Sequence, residues 1–307
     1  MNDQLIEAFE NRLAKRLKHL NKWVKKNQIS YFRVFDRDIT DVPVIIDSLP
    51  HHWLVWVCDH GLSTEVETQL MELITERLES IQRKEVVIKS RHKKELIKQR
   101  YNQQDTIISI EEGGLIFELN LTRYLDTGLF IDHRLTRQWV RQQSKGKRIL
   151  NLFAYTGSFS CYALAGGASF VTSVDLNPVY SDWHQKNSQL NQFKDSQYAI
   201  VTADVMTFLD HNKSKYDLII CDPPSFSQSK RKGVQQFQVQ KDAKRLLAYC
   251  FKSLKPTGII LFSTNYRSFK MDEVISNELW NAKEMTGQFC SKDFEGKYQS
   301  RSWLLNT

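Results

Sequence analysis

The chain has 307 residues, of which 41% are apolar and 25% charged, with a net charge of +8. That length and apolar share suit a folded protein with its own core and room for two domains. No apolar run reaches the length of a membrane span, no two of the five cysteines form C-x-x-C, and 43 basic against 35 acidic residues point toward a polyanionic partner.

The N-terminal residues Met1-Asn2-Asp3-Gln4 are polar and acidic, so no signal peptide is expected. Cys58, Cys161, Cys221, Cys250 and Cys290 are widely scattered, which fits reduced thiols and a cytoplasmic location. Residues 3–27 predict an amphipathic helix, with Leu5, Phe9, Leu13, Leu17, Leu20 and Val24 on one face and Lys15, Lys18, Lys22 and Lys25 on another. We take residues 1–28 as this basic helix and residues 29–122 as a small α+β domain. Its strands are expected at 31–35, 42–46, 53–57 and 86–88, with a helix over 64–81. Strands 106–110 and 115–121 form a hairpin around Gly113 and Gly114. Between the 86–88 strand and this hairpin lies the densest basic run, 89–100, with Lys89, Arg91, Lys93, Lys94, Lys98 and Arg100. Such a run beside a small sheet suits contact with a phosphate backbone.

The connector 122–134 carries Asp126, Asp132, His133 and Arg134 among apolar neighbours. They serve equally as caps and turn residues or as ligand anchors, and Arg134 could hold a carboxylate bidentately. Next comes R-I-L-N-L-F-A-Y-T-G-S-F-S-C-Y-A-L-A-G-G-A-S-F-V-T-S-V-D over 148–175. It predicts a strand at 149–154, a turn at 155–158, a helix at 159–165 ended by Gly166 and Gly167, and a strand at 170–174 with Asp175 at its tip. In doubly wound sheets an acid at that tip accepts hydrogen bonds from ribose hydroxyls. The turn is not G-x-G-x-x-G: Gly157 is present, but Asn151 and Tyr155 stand where a dinucleotide fold carries glycines. A diphosphate needs those glycines for close approach, so the expected ligand is a nucleoside without phosphates. S-adenosylmethionine (SAM) is one; an α/β fold of other function is the alternative.

A helix to about residue 191 follows Asn177-Pro178, then a strand at 199–202. Asp204 stands where it can accept from an adenine amino group or cap the helix 205–209, two compatible roles. The strand 216–220 runs into Cys221-Asp222-Pro223-Pro224-Ser225-Phe226. Two prolines past a strand tip leave carbonyls without local partners, Asp222 adds a carboxylate, and Phe226 offers a ring for a flat substrate. Residues 228–240, with Lys230 and Arg231, read as a basic lid facing the partner. A helix over 242–254, a fifth strand at 259–263, a helix over 271–282 and a closing antiparallel pair at 284–290 and 302–305 complete the chain.

With N-L-F-A-Y-T-G-S at 151–158 and C-D-P-P-S-F at 221–226, the chain resembles the RlmK type of 23S rRNA guanine-N7 methyltransferases. F-E-N-R-L-A-K-R-L-K (9–18), Y-L-D-T-G-L-F-I-D-H-R (124–134) and S-Q-S-K-R (227–231) extend the likeness over nearly the whole chain. The resemblance implies a class I SAM-dependent methyltransferase domain over 123–307, an α/β Rossmann-like fold with a mostly parallel seven-stranded sheet. It implies SAM as cofactor, no metal, 23S rRNA or its precursor as partner, and a place in rRNA processing. Cofactor contacts are expected from Phe130, Asp132, Arg134, Asn151, Phe153, Tyr155, Thr156, Gly157, Asp175, Leu176, Asp204, Val205 and Asp222. Catalytic roles are expected of Asp222, Pro223, Pro224 and Phe226, and RNA contacts of the 89–100 run with Lys230 and Arg231. In some bacteria this unit is the C-terminal half of a fused two-enzyme protein, which leaves open whether a separate second rRNA methyltransferase is a partner. The chain departs from the family at Thr264-Asn265-Tyr266, where relatives read N-N-K.

Guanine N7 has a lone pair and no proton, so its methylation needs alignment rather than a general base. Methylation of cytosine C5 needs a thiolate that adds to the ring. The expected place for it, the tip of the fifth strand, reads Ser263-Thr264-Asn265, and Cys221 is predicted to point back into the sheet. C5 chemistry and a small-molecule or protein acceptor are therefore the lesser enzyme readings. A non-catalytic RNA-binding ribosome-assembly protein is the reading from another class, and Asn151, Gly157, Asp175, Asp204 and D-P-P together speak against it.

Overall fold

The computed structural model describes residues 3–58, 61, 63–90, 105–227, 236–276 and 278–306. The chain divides into two units, Met1–Ile131 with Lys292–Lys297, and Asp132–Ser291 with Tyr298–Thr307.

In the first unit, helix α1 (Asp3–Lys26) buries Phe9 and Leu13 in one cluster with Val34, Phe35, Val44, Ile46, Trp53 and Val55. Each such side chain contributes roughly 1.5–3 kcal/mol on burial. The helix is thus part of this unit's core rather than a domain of its own, because its leucine face is one wall of that core. The other face keeps Lys15, Lys18, Lys22, Lys25 and Lys26 exposed. Strands β1 (Phe32–Asp36), β2 (Val44–Ser48) and β3 (His52–Val57) form a sheet. Helix α2 (Thr64–Ile81) starts at the Ser63 cap, and β4 (Glu85–Ser90) pairs parallel to β3. β2 is buried at every position, so both faces of the sheet are covered. Buried Asp47 in that strand is paired with Arg33 Nε at 2.8 Å. Strands β5 (Ile107–Glu112) and β6 (Leu115–Asn120) form the expected hairpin, turning through Gly113 and Gly114 at φ 62 and 75°.

The second unit opens with α3 (Arg134–Gln143), β7 (Arg148–Leu152), α4 (Ser158–Ala165) and β8 (Phe170–Asp175). It continues with α5 (Pro178–Leu190), β9 (Tyr198–Thr202), α6 (Val205–His211) and β10 (Tyr216–Cys221). A two-residue ladder, β11 (Phe226–Ser227) with β12 (Phe237–Gln238), leads into α7 (Val239–Lys252). Then come β13 (Leu254–Thr264), α8 (Met271–Ile275), β14 (Asn281–Glu284) and β15 (Arg301–Asn306). The seven-stranded sheet has the order β14-β15-β13-β10-β7-β8-β9. From β13 to β9 all pairings are parallel, and β15 is antiparallel to both its neighbours. The chain winds outward from β7 to β9 and returns to β10 on the other side of β7. That reversal places a crevice at the carboxyl ends of β7 and β10, where open α/β sheets bind ligands.

Several elements differ from expectation. Helix α3 has no counterpart in the sequence reading, because its buried face carries Arg134, Thr136 and Arg137 beside Val140. The fifth strand begins at Leu254 rather than 259, since Lys255-Pro256-Thr257-Gly258 is accommodated as an irregularity between the Tyr216–Leu254 and Leu218–Ile259 pairs. A proline without an N–H is tolerated there because the ladder is already interrupted. The helix expected over 271–282 stops at Ile275, and the edge strand is Asn281–Glu284 rather than 284–290. Arg301 of β15 fixes that register, its Nε and Nη2 each lying 3.1 Å from a Glu284 oxygen. Among the described residues no helix is long and apolar enough to cross a membrane.

Candidate active site

At the end of β7 the backbone leaves the strand two residues earlier than predicted. Phe153 and Tyr155 both adopt left-handed conformations, at φ 56 and 49°. Bulky residues tolerate that region only where surroundings enforce it, and such strain gathers at functional sites. Here Ala154 N donates to Val174 O at 3.0 Å, and Tyr155 N donates to Asp175 Oδ2 at 2.9 Å. Gly157, at φ 77°, caps α4. A Cβ at Gly157 would fall inside the ring of His184 on α5, so the turn and that histidine are fitted to each other. Buried Thr156 accepts Asn187 Nδ2 through its carbonyl at 2.9 Å. The Tyr155 ring meets Tyr180 edge-on at 4.6 Å, and Phe153 lies 5.7 Å from Phe237.

His184 is fully buried, and neither ring nitrogen has a hydrogen-bond partner among the described residues. Burial pushes its pKa down from 6.5 to about 4. The unfolded chain therefore takes up a proton that the folded chain refuses. Stability from this group is fully present above pH 6.5 and is lost as pH falls from 6.5 toward 4. At 1.36 kcal/mol per unit the whole window is worth about 3 kcal/mol. Urea midpoints for wild type and His184→Leu should diverge over that interval, with the variant showing the flatter acid limb. Parallel acid limbs would show that His184 does not titrate with unfolding.

Asp175, at the tip of β8, receives backbone N–H groups from Tyr155 and, at 2.9 Å, from Asn177. Burial raises its pKa and these amides oppose the rise. Backbone amides of Tyr155, Leu176 and Asn177 hold the carboxylate in place and leave it acceptor capacity, the chemistry a ribose diol needs. Leu176 follows it half-buried. Asp204 caps α6, its Oδ1 accepting Thr207 N at 2.9 Å and Thr207 Oγ1 at 3.0 Å, while Val205 is buried beneath. The cap role is thus realised, and the second Asp204 oxygen remains available to a ligand.

Other expected positions are placed differently. Asn151 is 1% exposed and its Nδ2 donates to Ser160 Oγ at 2.8 Å. This amide braces β7 against α4, behind the turn. Arg134 is 2% exposed, with Nη1 3.3 Å from Ser291 Oγ. Asp132 Oδ2 accepts from Ser300 N at 3.0 Å and Ser300 Oγ at 2.7 Å. Phe130 belongs to the first unit and has 40% of its surface exposed. Lys89 is corrected outright as a surface cation: it is 3% exposed, its ammonium donates to the Tyr124 carbonyl, and Nζ lies 4.7 Å from the centre of the Trp56 ring. Lys89 and Ser90 form the buried end of β4. Arg91, Lys93, Lys94, Lys98, Arg100, Lys230 and Arg231 lie outside the described residues.

At the end of β10 Cys221 is buried and its thiol is pushed well above its ordinary range by that burial and by neighbouring Cys250. Asp222 follows at the tip. Its Oδ1 accepts Ser263 Oγ at 2.6 Å, from the end of β13. Its Oδ2 lies 3.4 Å from Nε2 of His133, a buried ring that packs edge-on to Phe159 at 5.4 Å. Pro223 is buried, Pro224 exposed, and Phe226 is 58% exposed with its ring against Tyr266 at 5.6 Å and 79°. His133 and Ser263 are the residues that sequence reasoning did not tie to Asp222. The D-H-R and S-T-N tripeptides were visible, but not that they converge on one carboxylate.

A family model described as S-adenosylmethionine-dependent methyltransferase matches residues 64–288. The chain belongs to that family. Ribosomal RNA large subunit methyltransferase K of Neisseria meningitidis serogroup B is 38% identical over 310 residues, covering 98% of this chain and 87% of the relative. Ribosomal RNA large subunit methyltransferase K/L of Pseudomonas savastanoi pv. phaseolicola is 39% identical over 312 residues, 97% of this chain and 40% of the relative. The chain therefore spans about 40% of the length of the K/L relatives. A crystal structure of SMU.776, described as a methyltransferase complexed with SAH, shares the fold with a TM-score of 0.80 at 23% identity, covering 98% of this chain and 82% of that one. The likeness to the RlmK type is thus borne out by name and over nearly the full chain. The residues present fit SAM: an anchored carboxylate for a diol, an open acid at Asp204, and a glycine turn too sparse for a diphosphate.

Proposed function

We propose that this chain methylates N7 of a guanine in 23S ribosomal RNA. The observation that carries the reading is the chemistry at the tips of β10 and β13. A carboxylate is fixed by two partners, an aromatic ring is exposed beside it, and among the described residues neither tip offers an exposed thiol. Pyrimidine C5 chemistry requires that thiol. When bound, SAM supplies a methyl group whose bond to the sulfonium breaks as the guanine lone pair arrives. Asp175 would hold the ribose and Asp204 the adenine amino group. Phe226 would stack on the guanine, while Asp222 and the carbonyls of Pro223 and Pro224 would accept from its N1–H and amino group. N7-methylguanine carries a positive charge, and a carboxylate preset by Ser263 and His133 would oppose that charge without reorganising. A base in a folded rRNA helix would be unstacked to reach the tip. The exposed lysines of α1 support contact with the RNA backbone.

The reading is tested by methyl transfer from labelled SAM to an unmodified 23S rRNA transcript, with a small-subunit rRNA transcript as control. Label confined to the 23S transcript is expected; no label in either RNA overturns it. Asp175→Ala should weaken SAM binding by about 1–3 kcal/mol, as for a lost hydrogen bond to a charged group. Unchanged affinity by calorimetry in a folded variant would remove Asp175 from the cofactor site.

A further inference from the structure

The turn after β13 carries a cation that the reading above leaves unused. Asn265, Arg267 and Ser268 of this turn are exposed, and its Tyr266 is the ring packed against Phe226. The Arg267 guanidinium lies 4.2 Å from the centre of the Tyr298 ring. The Tyr298 hydroxyl in turn donates to the Asn265 carbonyl, so ring and turn are tied together. Ser225, next to the D-P-P tip, donates to the Asn265 side chain. Arg267 is thus held next to Tyr266, the half-buried ring that packs against exposed Phe226.

Its charge is also uncompensated. Several cations of this unit are paired with carboxylates: Arg301 with Glu284, Lys244 with Glu278, Lys270 with Glu273 and Arg245 with Asp242. Arg267 has no carboxylate within 4.0 Å among the described residues. A guanidinium held over a ring has N–H groups left to donate, in the fork that matches two phosphate oxygens. The stack fixes its orientation before a ligand arrives, at low cost in rotamer entropy.

We propose that Arg267, oriented by Tyr298, is the phosphate clamp for the nucleotide whose base is presented at Asp222 and Phe226. The inference rests on the reading of the chain as an RNA methyltransferase. It assigns one backbone contact to the acceptor side of the site, and that contact reads position rather than base identity.

The test is equilibrium binding of an unmodified 23S rRNA transcript to the full chain between 50 and 200 mM salt, for wild type, Arg267→Gln and Tyr298→Leu. Loss of one phosphate contact should flatten the slope of log affinity against log salt by about one, roughly a threefold smaller loss of affinity over that range. SAM affinity of Arg267→Gln should be unchanged, which also shows the variant folded. Tyr298→Leu should keep the wild-type slope and bind several-fold more weakly, because the charge remains while its orientation is lost. A wild-type slope in Arg267→Gln overturns the clamp and leaves the RNA reading standing. Wild type that does not bind the transcript overturns the RNA reading and the clamp with it.

Discussion

Asp222→Ala is expected to lower methyl transfer at least about a hundredfold, the scale on which a misplaced reacting group costs an aligned displacement. The carboxylate is fixed from two sides, by Ser263 Oγ at 2.6 Å and His133 Nε2 at 3.4 Å. Removing it would take away the charge proposed to face the alkylated base, and it leaves Ser263 Oγ without its acceptor. Asp222→Asn keeps the shape and removes the charge, so it should fall between wild type and alanine. Cys221→Ala is the control from the neighbouring position. Its thiol is buried and held protonated by that burial, so the variant should keep most of its turnover and lose only packing. Single-turnover rates with each folded variant decide the matter. Abolished turnover in Cys221→Ala, with Asp222→Ala still active, would point to a thiolate adduct and against guanine N7.

Gly157→Ala is expected to destabilise the chain by about 2–5 kcal/mol and to abolish SAM binding in whatever fraction stays folded. Two costs combine. At φ 77° a side chain sits in the left-handed region, worth about 1–2 kcal/mol, and the new methyl overlaps the His184 ring, worth about 1–3 kcal/mol of overpacking. The overlap can be separated from the backbone cost by a double-mutant cycle. In a His184→Ala background the ring is gone, so Gly157→Ala should cost only the backbone share. Urea denaturation of the four proteins gives the coupling. An equal cost in both backgrounds would mean that the turn does not rest on His184.

The nucleotide unit was legible in the sequence because its signals are local. Ile149 to Leu152 form an apolar run, Gly157 must allow a left-handed turn, and Asp175 closes the second strand. The D-P-P tip was legible for the same reason. What could not be read depends on partners far along the chain. Helix Arg134–Gln143 buries two arginines and a threonine, so apolar periodicity gave no sign of it. Asn151 has the composition of a ligand contact, yet only the fold shows its amide turned to Ser160. Lys89 opens a basic run, but strand β4 ends in the core and takes the lysine with it. The fit of His184 under Gly157 and the convergence of His133 and Ser263 on Asp222 are tertiary facts. Spacing in the sequence carries no trace of either.

The most direct measurement is mass-spectrometric identification of the methylated nucleoside formed when the purified chain acts on an unmodified 23S rRNA transcript with SAM. The expected product is N7-methylguanosine, confirmed by chain cleavage at the modified site after borohydride and aniline. A methylated pyrimidine as the product, or a methylguanosine that resists that cleavage, would contradict the assignment of the Asp222 tip to guanine N7.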